Sequence, residues 1–69
     1  MSIDVTTDYY RSAIAEIDAG RVVFDQAARF HYVRDGVALD FWDAAPFDDL
    51  ILNGFVRRDG SGNPLVVTR

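Results

Sequence analysis

The sequence predicts a small α+β domain, and three observations carry that expectation. Residues 7–19 repeat their apolar side chains at helical spacing, Asp35-Gly36 stands between two alternating apolar segments, and two β-prone runs flank the turn-rich Asp59-Gly60-Ser61-Gly62-Asn63. A length of 69 residues leaves room for one domain, taken as residues 1–69. A chain of this size buries only about 60% of the surface it exposes when unfolded, so a dense core, a staple or a partner has to hold it. Cysteine is absent, which removes disulfides, and with His31 as the one histidine a tetrahedral N/S zinc site is excluded too. At 49% hydrophobic and 13% aromatic the chain is too apolar for disorder. Its longest apolar run is far below the roughly 18 residues that cross a membrane. Met1-Ser2-Ile3-Asp4 has no basic start and no long apolar stretch, so a cytoplasmic protein without a secretory signal is expected.

In the first helix, expected over 7–19, Tyr10, Ala13, Ile14 and Ile17 share one face. Thr6 or Thr7 can cap it, Asp8 suits the positive N-terminal end, and Gly20 suits the left-handed residue that closes a helix. Residues 22–34 admit two readings. As a helix they place Phe24, Ala27, Ala28 and His31 together; as strands, Phe30, Tyr32 and Arg34 alternate with Arg29, His31 and Val33. Asp-Gly decides the second half, because a two-residue type I′ turn needs positive φ at both central positions. The expectation is a helical or irregular segment near 23–28, then a hairpin with arms near 29–34 and 37–42, with Val37, Leu39 and Phe41 on one face. A short second helix follows, with Pro46 at its first position, Asp48 and Asp49 in its first turn, Phe47, Leu50 and Ile51 as its apolar stripe, and Gly54 at its end. Residues 55–58 and 64–68 form the C-terminal hairpin. The expected core is Tyr10, Ile14, Ile17, Val23, Phe30, Leu39, Phe41, Leu50, Ile51, Phe55, Leu65 and Val67, more large apolar side chains than so small a body hides comfortably.

No catalytic residue is assigned. Cysteine and lysine nucleophiles do not exist here, and Ser2, Ser12 and Ser61 have only His31 as a possible base, which is read as an ordinary hairpin side chain. Asp35, Asp40, Asp43, Asp48 and Asp49 crowd one stretch, but their spacing fits no calcium loop. No metal and no cofactor are therefore expected. All seven bases are arginine, a composition that points to GC-rich coding rather than to a function.

The charge is distributed unevenly. The net charge is −4, yet residues 1–53 carry −6 and residues 54–69 carry +2 through Arg57, Arg58 and Arg69 against Asp59. In the acidic part, Trp42 and Phe47 lie among Asp40, Asp43, Asp48 and Asp49. Aromatic anchors ringed by acids fit a protein-binding surface, the acids steering a basic partner. Strand alternation would place Trp42 opposite Leu39 and Phe41, hence toward solvent.

The stretch Leu50-Ile51-Leu52-Asn53-Gly54-Phe55-Val56-Arg57-Arg58, with the Gly-rich loop and Pro64-Leu65-Val66-Val67-Thr68 after it, resembles the end of a winged helix-turn-helix domain. That resemblance implies a helix, a wing hairpin and DNA binding, with Arg57 and Arg58 touching phosphates or the minor groove. Arg69 belongs to the same basic segment. Where the family's recognition helix would present polar groups to bases, this chain presents Pro46, Phe47, Asp48 and Asp49, and aspartates face phosphates unfavourably. The leading expectation is therefore a small acidic, non-enzymatic interaction protein that binds a protein partner, of a regulatory or phage-type accessory kind. A winged-helix-like DNA-binding regulator and a homodimeric assembly module are the alternatives.

Overall fold

The computed structural model describes residues 3–67. The element order is α1 (Asp8–Asp18), β1 (Val22–Phe24), β2 (Tyr32–Arg34), β3 (Val37–Ala38), α2 (Phe41–Leu52), β4 (Val56–Arg58) and β5 (Pro64–Val66). The domain is α+β, with two helices, a three-stranded antiparallel sheet ordered β1-β2-β3 and a two-stranded sheet β4-β5.

Helix α1 lies where its spacing and punctuation place it. Thr7 occupies the N-cap but makes no side-chain capping bond; its hydroxyl donates instead to the Asp4 carbonyl at 2.9 Å. Both helices end alike. In α1 the Gly20 N–H reaches the Ile17 carbonyl and the Arg21 N–H the Glu16 carbonyl; in α2 Gly54 and Phe55 do the same to Ile51 and Leu50. These are Schellman closures, which need a residue at positive φ after the cap, and glycine supplies it at 74° and 81°.

The Asp-Gly hairpin forms as expected, with Asp35 and Gly36 both at positive φ and Arg34 paired to Val37. The segment before it is irregular over 25–28 as expected, but it opens with a strand, and the near arm of the hairpin begins at Tyr32 rather than at residue 29. Val22–Phe24 is a strand paired to Tyr32–Arg34, because Val22 and Tyr32 bury inward, and the intervening loop closes through the Asp25 N–H on the His31 carbonyl at 2.9 Å. The far arm of the hairpin stops at Ala38 rather than reaching residue 42. Asp40 ends it: its carboxylate accepts the Asp43 N–H at 2.9 Å and starts α2 six residues before Pro46. Pro46, expected as the first helical residue, is therefore interior to α2 and buried there, at the cost of one backbone hydrogen bond.

The core comprises Ala13, Ile17, Val22, Tyr32, Leu39, Ala44, Phe47, Leu50, Val56 and Val66, with Tyr10, Ile14, Phe24, Phe30, Ile51 and Phe55 packed round it. Ile17, Leu39 and Leu50 are fully interior as expected. Val23, Leu65 and Val67 are exposed because each strand faces the core with the neighbouring residue, Val22 in β1 and Val56, Pro64 and Val66 in the second hairpin. Phe41, also expected inside, starts α2 and is 59% exposed. Three polar contacts tie the layers together. Tyr10 donates to Asp49 at 2.8 Å, Tyr32 donates to Asp48 at 2.9 Å, and Arg34 pairs with Glu16 at 3.1 Å. The two sheets meet where the Phe24 N–H donates to the Asn63 side-chain oxygen at 3.2 Å.

Candidate functional site

The six residues expected to bind a partner separate into two groups. Phe47 is 1% exposed and belongs to the core, since α2 turns Ala44, Phe47 and Leu50 inward; it offers no surface. Asp48 and Asp49 are mid-helix residues rather than members of a first turn, and their carboxylates serve as acceptors for Tyr32 and Tyr10. Tyr32 is 2% exposed, and burial first and the bond to Asp48 second push its phenol above the ordinary tyrosine range. These two aspartates thus hold β2 and α1 to α2.

Asp40, Trp42 and Asp43 remain together at the solvent-facing start of α2, although on a helix and not on the strand from which Trp42's exposure was argued. Trp42 is 78% exposed. Its ring meets Phe41 at 5.5 Å between centroids and 81°, and Phe41 meets Phe30 at 5.9 Å and 69°, both edge-to-face. The Arg29 guanidinium lies over Phe30, 5.3 Å from its centroid. The result is a shelf in which half-buried Phe30 supports Phe41 and Phe41 supports Trp42. Asp40 and Asp43 stand on either side of the pair in sequence. Phe30 and Phe41 were assigned to the core from sequence; an α2 that is apolar on nearly every side was the available signal that some of it faces outward.

On the opposite chemistry, Arg57 and Arg58 are both exposed on β4. Arg58 stacks on Phe24 at 3.8 Å from the ring centroid, and His31, exposed and at positive φ, stacks on the same ring at 5.5 Å. The Arg57 side chain makes no hydrogen bond or ion pair among the described residues, and its backbone pairs with Leu65 in the ladder. Arg69 lies outside the described residues.

Other features are shallow. An open groove of about 450 Å³ is lined by α1 alone, through Asp8, Arg11, Ser12, Ile14, Ala15 and Asp18. Among the described residues no three His, Asp or Glu side chains converge as metal ligands, and no helix is long and apolar enough to cross a membrane. No family model, curated protein or solved structure matches this chain.

Proposed function

We propose that this chain is a small, non-enzymatic protein-binding module, of a regulatory or accessory kind, which docks through the Phe30-Phe41-Trp42 shelf. The observation that carries the reading is the outward placement of Phe41 and Trp42, 59% and 78% exposed, on a helix whose inner face is already filled. Leaving two large aromatic rings in water forgoes the burial that a chain this small needs, and a partner would recover it. Exposed aromatics at the centre of a patch are where interface energy concentrates. Co-purification with wild-type chain and with Trp42→Ala, both checked for folding by circular dichroism, tests it. A protein retained by the wild type and lost by the variant is expected; identical retention by both removes the reading.

A second reading draws on Arg57, exposed on the β4-β5 hairpin and without a side-chain partner among the described residues, which supports a divergent DNA-contacting wing. It predicts duplex binding that weakens steeply with salt and a shallower salt slope in Arg57→Ala. Titration of duplex DNA at two salt concentrations decides it, and absence of binding at the lower one ends it.

A further inference from the structure

Resting on the docking reading above, we propose that the shelf receives an arginine side chain of the partner, its guanidinium laid on the Trp42 ring and donating to the Asp43 carboxylate. The ring contributes an open face. Its one ring contact among the described residues is the edge-to-face meeting with Phe41, which covers at most one side of the indole. Two carboxylates flank Trp42 in sequence at the start of α2. The Asp43 carboxylate is exposed and takes no hydrogen bond or ion pair among the described residues, while Asp40 uses one carboxylate oxygen on the Asp43 N–H and keeps the other.

An exposed π face on a helix start that carries free-standing carboxylate oxygens is complemented by a flat cation carrying many donors. Guanidinium presents five N–H groups in a planar fork and stacks on aromatic rings, whereas an ammonium offers three donors from a strongly hydrated point. The molecule uses this pairing twice within itself, with Arg58 over Phe24 and Arg29 over Phe30. Trp42, the best cation–π ring of the three, has no arginine over it among the described residues.

Trp42 is the one tryptophan, so its emission reports the event directly. The full chain is titrated at low ionic strength with an end-blocked peptide, Gly-Gly-Arg-Leu-Arg-Gly-Gly, and with versions in which both arginines are replaced by lysine or by uncharged citrulline. Saturable quenching is expected with a Kd at least about threefold lower for the arginine peptide than for the lysine peptide, and no saturation with citrulline. Asp43→Asn, folded by circular dichroism, is expected to weaken the arginine peptide at least about threefold and to erase the preference over lysine. Equal binding of arginine and lysine peptides, or indifference to Asp43→Asn, overturns the inference. If that happens while Trp42→Ala still loses a co-purifying protein, the docking reading stands without the arginine; if both fail, docking falls as well. Concentration-dependent mass of the free chain that disappears in Arg57→Ala would put a second copy on the shelf and also overturn the proposal of a separate partner.

Discussion

The two helices of this domain differ in how fully the fold explains them. Helix α1 turns Ala13 and Ile17 inward, half-buries Tyr10, Ile14 and Glu16, and gives water Asp8, Tyr9, Arg11, Ser12, Ala15 and Asp18. The large apolar group among those in water is Tyr9, 52% exposed and edge-on to Tyr10. Helix α2 also fills the core, with Ala44, Pro46, Phe47 and Leu50, but it gives water Phe41, Trp42 and Leu52, the last 83% exposed. A helix that is apolar on both sides while lying at a surface has a second face without a home in the monomer. The two helices therefore differ in outward apolar area, three large side chains on α2 against Tyr9 on α1, and the proposed docking rests on that difference.

Breaking the inner side of α2 should have the largest effect. Phe47→Ala removes a ring that is 1% exposed and is expected to cost about 3–5 kcal/mol, enough to unfold much of a domain this small at 25 °C, as urea titration followed by far-UV circular dichroism would show. The second effect concerns the tyrosine that links β2 to α2. Unfolded tyrosine ionises near pH 10, whereas Tyr32 in the folded chain holds its proton to higher pH. Above about pH 10 the unfolded state loses a proton that the folded state keeps, so this contribution is fully present below that pH and is lost as pH rises. Tyr32→Phe is expected to cost about 1 kcal/mol near neutrality and to flatten the alkaline fall, both readable from melting temperature against pH.

A comparable but local effect is expected from Asp40→Ala, which removes the cap that starts α2: about 1 kcal/mol, with Asp40→Asn nearly harmless because asparagine caps as well. The smallest is Trp42→Ala, expected to leave stability within about 0.5 kcal/mol, since the ring is mostly in water already. A large loss of stability from Trp42→Ala would erase the distinction between the two faces, and with it the ground for assigning the outer one to a partner.

Local punctuation was legible at α1 and at the Asp-Gly hairpin but not at the start of α2, and strand parity was not legible. Thr7, Asp8 and Gly20 bounded α1, and Asp35-Gly36 fixed a hairpin, because capping and turn geometry are decided within a few residues. The strands are only two or three residues long, too short for alternation to reveal which valine of Val22-Val23 or which of Leu65-Val66 faces inward; tertiary packing decides that. Pro46 misdirected the start of α2, since proline is most at home in a first turn, while Asp40 and Asp43 carried the true start signal three residues apart. The aromatic surface was legible in part. Trp42 was expected in solvent for a reason that belongs to strands, and Phe47 was offered as a partner anchor because it stands among aspartates, although its place on the apolar stripe of α2 already pointed inward. The roles of Asp48 and Asp49 were hidden, because their tyrosine partners are 16 and 39 positions away along the chain.

The bond from the Phe24 N–H to Asn63 reaches beyond joining two sheets. It occupies an outward donor on β1, where an unpaired row would otherwise template the addition of a foreign strand. On the far side of the same sheet, β3 offers only Val37–Ala38, too little backbone for a ladder to grow. A chain that keeps apolar rings in water therefore blunts both edges of its three-stranded sheet against main-chain pairing.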